Sequence, residues 1–443
     1  MKKNTWVIGF MLFAIFFGAG NLIFPPKLGF ASGEFFWPAI LGFIFTGVGL
    51  PLLGIIVGSL DEGGYKAALR KINPIFGVIF LMAIYLTIGP LFAIPRTGAT
   101  SYEMAIVPFL NSPSALSLFI FTLIYFGISF FLAVNPSKMV DRVGSVLTPI
   151  LLVSIVLLVI RGIYILFNEP ATPSDTESYV SGGSSFFKGF TEGYLTMDAI
   201  AAIAFSVIVL NAIKAKGITK ETGLFKQTVI AGTIAAVALG IIYLTLGWIG
   251  NHYSISAAEM AKIDKNQLDL GTYILTHVAD DTFGSFGKLL IGIIVTLACL
   301  TTSVGLIVAV SEYFHEIFPK VSYKVYVIIF TLFSFILANQ GLSAVISKSV
   351  PVLLVLYPIA MTLVLVMLLA KFIPTPPLAQ QVAIGLVTVV SLLSVMHAYQ
   401  VINLPFIDNL PLKAESMEWL LFAVVGYIIG YLLGARQEKI QYN

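Results

Sequence analysis

Long apolar stretches, separated by short polar or glycine- and proline-rich segments, follow one another along this 443-residue sequence. A helix needs about 20 consecutive, mostly apolar residues to cross the hydrocarbon core of a bilayer. Twelve such windows occur, at about residues 5–24, 35–60, 74–98, 115–134, 144–166, 187–213, 227–250, 285–311, 323–339, 342–371, 379–399 and 417–434. The pattern predicts an all-α, polytopic membrane protein of about twelve transmembrane helices.

The composition changes this picture little. Hydrophobic residues make up 58% of the chain and charged residues 11%, against about 25% charged residues in a typical soluble domain. The net charge of +3 is too small to indicate a nucleic-acid partner. The single cysteine, Cys299, excludes intrachain disulfides and cysteine-based metal sites. We therefore expect the lipid bilayer as the surroundings, and no obligate protein partner is evident.

The N-terminal residues Met1 to Phe17 superficially resemble a secretory signal. No A-x-A cleavage site follows and equally apolar segments come later, so we predict a retained first span. Lysine and arginine favour the cytoplasmic loops of membrane proteins. With a cytoplasmic N-terminus, the inside loops hold 16 of the 25 basic residues, which predicts that both termini lie inside. The sixteen are Lys2, Lys3, Lys66, Arg70, Lys71, Lys138, Arg142, Lys214, Lys216, Lys220, Lys226, Lys320, Lys324, Lys371, Arg436 and Lys439.

Two spans carry polar or glycine-rich interruptions. The first contains Gly18-Ala19-Gly20-Asn21, and the sixth contains Thr191 to Ala199, including Asp198. A break inside a spanning helix persists only where it is buried in protein or lines a cavity. For the glycines of the first span alone, close helix packing through small residues is a structural alternative to a functional break. Breaks at corresponding places in two halves instead indicate an inverted-repeat transporter with its site near the midplane.

This interpretation divides the chain into two five-helix halves and a C-terminal pair. Residues 1–166 form the first half, and residues 167–186 an extracellular linker. Residues 187–371 form the second, inverted half, and residues 372–443 the last two helices with a short cytoplasmic tail.

Three adjacent hydroxyl groups lie in the middle of the eighth span, on Thr301, Thr302 and Ser303. Such hydroxyls can bond back to carbonyl groups one turn earlier in their own helix. Hydroxyl and carbonyl oxygens are also the hard ligands that an alkali cation prefers. Both interpretations stay open at this point.

Short strings in several spans occur in a specific joint order. They are Gly18 to Pro26, Gly29 to Gly33, Trp37-Pro38, Ile88-Gly89-Pro90, Ala93 to Thr97, Asn135-Pro136 with Lys138, Thr148-Pro149, Gly193-Tyr194, Thr196 to Ala199, Ser349 to Pro351 and Tyr357-Pro358. Together they resemble the bacterial branched-chain amino acid:cation symporters, the system II carriers of the amino acid-polyamine-organocation superfamily. The resemblance implies a carrier, not an enzyme, in the bacterial cell membrane. It would import leucine, isoleucine and valine by alternating access.

The same residues are similar, more distantly, to leucine-transporter-type sodium symporters. This implies a LeuT-type fold of two inverted five-helix repeats with helices one and six broken, plus two extra C-terminal helices. It also implies bound sodium and no organic cofactor. The ligands carried over are the carbonyl groups of Ala14, Phe17 and Ala298 and the hydroxyl groups of Thr301 and Thr302. A second sodium ion beside Asn21 is implied without a clear set of further ligands.

The resemblance also implies a substrate pocket at the two breaks. Amides of Ala19 and Gly20 would face the amino acid carboxylate, and carbonyl groups at both breaks its ammonium. The expected substrate-binding residues are Gly18, Ala19, Gly20, Asn21, Thr196 and Asp198.

Two charged positions in the spans are open to more than one role. Asp198 could bind the ammonium, bind a cation, or cap the second half of helix six; we favour capping or support of the site. Arg96 and Glu103, in the third span, are predicted to be an outer-gate or structural pair rather than ligands.

Other functions stay as alternatives. A proton-coupled carrier of another small neutral solute is the nearest, although the middle of span five lacks the Lys, Glu or His on which proton coupling often relies. A polytopic membrane enzyme would need clustered catalytic residues, and the four histidines are scattered singly. A passive channel or a sensor is the third alternative.

Overall fold

The computed structural model describes residues 2–60, 64–134, 138–174, 178–204, 206 and 223–441, and in this part of the chain every regular element is a helix. The predicted inside-loop residues Lys214, Lys216 and Lys220 lie outside the described residues, as does most of the stretch 205–213. In chain order the helices are α1 (Lys2–Phe16), α2 (Ala19–Ser32), α3 (Phe36–Ile44), α4 (Leu50–Gly58), α5 (Gly64–Ile72), α6 (Pro74–Leu86), α7 (Ala93–Ala105), α8 (Ala115–Val134), α9 (Lys138–Leu166), α10 (Gly182–Glu192), α11 (198–204), α12 (Leu224–His252), α13 (Ala257–Lys265), α14 (Leu270–Ile317), α15 (Tyr323–Ala338), α16 (Leu342–Phe372), α17 (Pro377–Ala398) and α18 (Trp419–Gln441).

Seven continuous helical stretches in the described chain are long and apolar enough to cross a membrane, by length and composition: Ala19–Gly58, Pro74–Phe109, Ala115–Val134, Phe225–His252, Leu270–Ile317, Leu342–Phe372 and Pro377–Ala398. Three shorter helices are also apolar, Leu152–Leu166, Tyr323–Ala338 and Trp419–Ala435. These seven stretches cover more than seven of the predicted windows, because consecutive helices can form one continuous stretch. The stretch Ala19–Gly58, for example, contains the end of the first window and nearly all of the second.

The first and sixth spans are interrupted at the positions that the sequence predicts. Helix α1 ends at Phe16, Gly18 is extended (φ −124°, ψ −171°), and α2 begins at Ala19. Helix α10 continues into the 3₁₀ turn Gly193–Thr196, and Met197 then adopts a left-handed conformation (φ 65°) before α11 starts. A left-handed residue other than glycine is uncommon and stops the helix, so each span consists of two half-helices.

A third interruption, in the third span, is not predicted by the sequence analysis. Between α6 and α7 the π-helical segment Thr87–Leu91 contains Gly89 in a non-helical conformation (φ −97°, ψ −126°). Pro90 follows it and lacks the N–H that a continuous helix would need. Helix α7 therefore starts afresh at Ala93, in the interior of the span.

Helix α14 is divided near its beginning by Gly284, whose positive φ of 62° favours glycine. Its later part, from residue 285, is the predicted eighth span. Its earlier part and the short helix α13 lie between the seventh and eighth predicted windows, at residues 251–284. No span is predicted there because the residues are too polar.

Glycines bring helices α2 and α12 into backbone contact from both sides. A Cβ atom added at Gly29 would lie 1.8 Å from the carbonyl oxygen of Gly247, and one added at Gly250 would lie 2.0 Å from that of Pro26. Neither distance is possible for real atoms, so both positions require glycine. Span one is thereby fixed against span seven.

A matching contact joins helices α3 and α10. A Cβ atom added at Gly42 would lie 2.0 Å from the carbonyl oxygen of Phe186, and one added at Gly189 would lie 1.9 Å from that of Ala39. Span two is thereby fixed against span six. Exchanging each span for its counterpart five places along the chain converts the first contact into the second, as an inverted repeat requires.

The contact of α2 with α12 predicts a large effect of one methyl group. We expect Gly250→Ala to lower the thermal unfolding midpoint of the purified protein strongly or to prevent its accumulation, because the backbones would have to separate. The matched control is Gly240→Ala on the same helix, where a Cβ atom would meet only Ile44 Cγ2, at 4.0 Å. Equal midpoints for the two variants in size-exclusion thermostability measurements would contradict the close approach.

Candidate functional site

A cavity with about 490 Å³ of empty space, part of it open to solvent, lies where the three interrupted spans meet. The first residues of three helices border it: Ala19 of α2, Ala93 of α7 and Asp198 of α11. Each helix start carries a partial positive charge of about half a unit. The lining residues are Phe16, Gly18, Ala19, Asn21, Ile88, Ala93, Arg96, Thr97, Thr196, Met197, Asp198, Ala201, Thr302 and Leu306.

The structure brings five of the six predicted substrate-binding residues to this cavity: Gly18, Ala19, Asn21, Thr196 and Asp198. The sixth, Gly20, is not among the lining residues. A Cβ atom at Gly20 would lie 2.9 Å from Arg96 Nη2, so the guanidinium group rests on the backbone there. Arg96 therefore occupies the space that a side chain at residue 20 would need.

Asn21 links the first span to the sixth and seventh. Its Oδ1 accepts a hydrogen bond from the Gly18 amide (3.2 Å), which fixes the start of α2. Its Nδ2 donates to Asp198 Oδ2 (2.6 Å) and to the Tyr243 hydroxyl oxygen. The Tyr243 hydroxyl in turn donates to the same Asp198 oxygen (3.2 Å). These three side chains form a closed polar triangle in otherwise apolar surroundings.

Asp198 is the first residue of α11 and is only 5% exposed. Its amide donates to Thr196 Oγ1 (3.3 Å), and Thr196 Oγ1 donates to the Gly193 carbonyl (2.9 Å), which holds the turn before the helix together. In the described chain the carboxylate receives its hydrogen bonds from Asn21 and Tyr243, on other spans. These contacts join three spans, which is compatible with the predicted support of the site; the role of Asp198 stays a prediction.

Arg96 is buried, 6% exposed, in the first turn of α7. Its guanidinium donates to the carbonyl oxygens of Leu195 (2.5 Å) and Thr196 (3.3 Å), at the break of the sixth span. The Phe24 ring lies 5.3 Å from the guanidinium carbon. The arginine thus joins spans one, three and six at their interruptions.

The predicted pairing of Arg96 with Glu103 is wrong. Seven residues on a helix span about 10 Å, and the two side chains have different partners. Glu103 accepts hydrogen bonds from the Thr272 hydroxyl (2.6 Å) and the Asp269 amide (2.9 Å). Asp269 lies 3.5 Å from the ammonium group of Lys27. Glu103 therefore attaches α7 to the start of α14, away from the guanidinium.

The hydroxyl groups of the eighth span bond back to their own helix. Thr301 Oγ1 donates to the Ala298 carbonyl (2.8 Å), and Thr302 Oγ1 donates to the same oxygen (3.1 Å). Hydrogen bonding within the same helix, one of the two interpretations of this pair, is therefore what the structure has. It also places the hard oxygens of Thr301 and Thr302 within hydrogen-bonding distance of a third, the Ala298 carbonyl oxygen. That donor set fits one side of an alkali-cation site.

The remaining predicted sodium ligands lie at the end of the first half-helix. Ala14 is in the last turn of α1, and Phe17 follows that helix with its amide bonded to the Phe13 carbonyl (2.8 Å). Phe16 and Thr302 both line the cavity, so spans one and eight face each other there. The five-ligand site itself stays a prediction.

Tyr243, Ile88 and Leu306 are site residues that the sequence analysis misses. Tyr243 is fully buried and completes the polar triangle, whereas Ile88 and Leu306 supply apolar walls. The one available signal for Tyr243 is a hydroxyl group inside an otherwise apolar window of the seventh span. Many tyrosines in spans give that signal without any such role.

The comparison with known families decides the relationship of this chain. A family model described as branched-chain amino acid transport protein matches residues 1–437. The chain belongs to this family. A relative from Staphylococcus saprophyticus, named a branched-chain amino acid carrier protein, is 59% identical over 439 residues, covering 99% of this chain and 98% of the relative. A relative from Staphylococcus aureus strain USA300, also named a branched-chain amino acid carrier protein, is 57% identical over 445 residues, covering 100% of this chain and 100% of the relative.

Two solved structures share the fold of this family member. The nucleobase-cation-symport-1 family transporter Mhp1, closed with bromovinylhydantoin bound, gives a TM-score of 0.58 at 13% identity, covering 96% of this chain and 91% of that one. MhsT in complex with L-phenylalanine gives a TM-score of 0.56 at 16% identity, covering 96% and 98%. The predicted family and the LeuT-type fold are both confirmed. The chain is a multi-pass membrane protein of a transporter family.

The polar triangle predicts a defined effect of one hydroxyl group. Tyr243→Phe removes the donor to Asp198 while keeping the ring against Phe43, 5.3 Å between centroids. A hydrogen bond to a charged group contributes about 1.5–3 kcal/mol. We therefore expect half-saturation of branched-chain amino acid uptake to need at least roughly tenfold more substrate. The control is Tyr427→Phe, whose hydroxyl pairs with Thr375 (2.9 Å) outside the cavity. Unchanged half-saturation in Tyr243→Phe would contradict the assigned role.

Proposed function

We propose that this protein is a sodium-coupled symporter that imports leucine, isoleucine and valine by alternating access. Membership of the branched-chain amino acid transport family supports the substrate class. The observation that carries the proposal is the cavity at three interrupted spans, since charged and polar groups converge there inside apolar surroundings. Half-helix ends at such breaks are suited to bind a zwitterion and a cation together.

The walls of the cavity suit a branched aliphatic side chain. Beside the polar groups, the lining includes Phe16, Ile88, Ala93, Ala201 and Leu306, which offer contact without hydrogen-bonding groups on their side chains. A single methylene group in such a pocket changes binding by only about 1–3 kcal/mol. One carrier for all three branched-chain amino acids is therefore expected. A lysine or arginine substrate would meet the guanidinium of Arg96 in the same cavity.

Sodium, as co-substrate, would bind between spans one and eight. The proposed ligands are the carbonyl oxygens of Ala14, Phe17 and Ala298 and the hydroxyl oxygens of Thr301 and Thr302. Sodium there would neutralise the partial negative charge of the α1 carboxyl end. Because the two spans lie in opposite halves, ligands from both would favour one arrangement of the halves and prepare the amino acid site.

We place the carrier in the bacterial plasma membrane with both termini in the cytoplasm. The distribution of lysine and arginine among the short loops supports this orientation. Green fluorescent protein fluoresces only in the cytoplasm, so a fusion of it to the C-terminus tests this orientation. A fusion without fluorescence would indicate the opposite orientation.

The coupling ion is tested by imposing gradients separately. In proteoliposomes we expect an inward sodium gradient to drive saturable, electrogenic leucine accumulation, and a proton gradient alone to leave leucine near equilibrium. The rival is proton coupling, which the buried carboxylate of Asp198 in the cavity favours. Uptake that ignores sodium removal and collapses with a protonophore would establish that rival.

The sodium ligands are tested on the eighth span. Thr301→Ala and Thr302→Ala are each expected to abolish sodium-dependent leucine uptake at unchanged protein level, because an oxygen ligand is lost. Thr302→Ser keeps the hydroxyl and should retain uptake. Thr296→Ala is the matched control, since in the described chain its hydroxyl has no hydrogen-bond partner. Wild-type sodium dependence in both alanine variants at 301 and 302 would refute the assignment.

A further inference from the structure

We propose that Arg96 binds the carboxylate of the transported amino acid and that Asp198 binds its ammonium. Two opposite side-chain charges, and not backbone groups alone, would then select α-amino acids. This inference rests on the proposed function of the cavity. It adds Arg96 to the substrate site and assigns the charge of Asp198.

Of the backbone groups expected to bind the ammonium, those at the break of the sixth span are already engaged. The carbonyl oxygens of Leu195 and Thr196 accept hydrogen bonds from Arg96. A second cation at these oxygens would lie beside a guanidinium group, and like charges at short range repel strongly in a medium of low dielectric constant. At this break the ammonium group consequently needs another acceptor.

Asp198 supplies that acceptor. Its Oδ2 atom receives hydrogen bonds from Asn21 and Tyr243, and among the described residues no basic side-chain nitrogen lies within 4.0 Å of the carboxylate. Asp198 lines the cavity and is 5% exposed. A buried carboxylate without a close cation costs free energy, which a bound ammonium group would offset.

Arg96 has donors left for an anion. A guanidinium carries five N–H groups, and the two hydrogen bonds to Leu195 and Thr196 use only part of them. Among the described residues no carboxylate lies within 4.0 Å of its nitrogen atoms. Arg96 nevertheless lines the cavity and is 6% exposed. Guanidinium–carboxylate hydrogen bonds are short and strong, so a carboxylate is the ligand that this geometry fits.

Arg96 and Asp198 border one cavity, and among the described residues their charged groups do not approach to within 4.0 Å. Thr196 is hydrogen-bonded to both residues: its carbonyl oxygen accepts from the Arg96 guanidinium and its hydroxyl oxygen from the backbone amide of Asp198. A zwitterion placed between the two charged groups would bring an opposite charge closer to each. The starts of α2 and α7 add further partial positive charge for its carboxylate.

The test measures which charged group of the ligand each residue recognises. Purified full-length protein in sodium-containing nanodiscs binds radiolabelled leucine, and two competitors are titrated at a pH where each carries one charge. Leucinamide keeps the ammonium and lacks the carboxylate; 2-hydroxy-4-methylpentanoate keeps the carboxylate and lacks the ammonium. We expect wild-type protein to prefer leucine over each competitor by about 100-fold or more, since an unpaired buried charge is left each time.

The two variants should then lose different preferences. In Arg96→Gln the preference for leucine over leucinamide should fall to roughly tenfold or less, and in Asp198→Asn it should stay near the wild-type value. In Asp198→Asn the preference over the hydroxy acid should fall instead. Arg161→Gln, an exposed arginine beside the Tyr164 ring, is the control and should change neither ratio. If Arg96→Gln does not fold, Arg96→Lys, which keeps the charge and loses the planar fork, should reduce the leucinamide ratio partly.

Several results would overturn the inference. An Arg96→Gln variant that weakens leucine and leucinamide equally would restrict the arginine to holding the carbonyl groups of span six. Wild-type protein that binds leucine and leucinamide equally would refute the carboxylate contact and leave the proposed transport function intact. Wild-type protein that binds no leucine at all would refute both.

Discussion

The structure depends on how one interruption is stabilised. Ending a helix inside a membrane-spanning segment exposes carbonyl groups where no bulk water can satisfy them. At the sixth span two of these carbonyl oxygens, on Leu195 and Thr196, accept hydrogen bonds from a guanidinium group that reaches across from the third span. The negative end of a half-helix and a buried cation stabilise each other, since either alone would be costly in these surroundings. The break in span six therefore depends on Arg96, and the cavity beside them depends on both.

The polar triangle complements this arrangement with the opposite charge. Asp198 follows the same break and is held by Asn21 from span one and Tyr243 from span seven. A carboxylate and a guanidinium thus border one cavity from two sides, and each is fixed by groups on other spans. Because the contacts join spans one, three, six and seven, the geometry of the cavity is set by how these spans sit against each other. A change in how these spans are arranged would move both charged groups at once.

Local sequence patterns predicted the parts of this site that local chemistry determines. Glycines and an asparagine in the first span, and an aspartate in the sixth, interrupt apolar runs visibly, so both breaks could be placed. The break at Gly89 could not, because one glycine and one proline in an apolar window do not disturb its hydrophobic pattern. The partners of Arg96 were also mistaken, since the nearest carboxylate along the helix was Glu103 and the true partners lie about a hundred residues away in the sequence. Thr301 and Thr302 differ from these cases: hydrogen bonding within their own helix was one of two interpretations left open, the structure has it at Ala298, and a cation role is compatible with it.

The glycine contacts described for the fold have a mechanical consequence. Where Gly29 and Gly250 bring two backbones together, and Gly42 and Gly189 do the same for another pair, sliding along the helix axis would drive carbonyl oxygens into Cα atoms. Spans one and seven, and spans two and six, are thereby locked in pairs, and Asn21 with Tyr243 and Asp198 ties the pairs together. In the proposed alternating access, this four-helix block would rock at its boundary with spans three and eight. Arg96 and Thr302 stand on the far side of that boundary, so the seam of the proposed motion passes through the cavity itself.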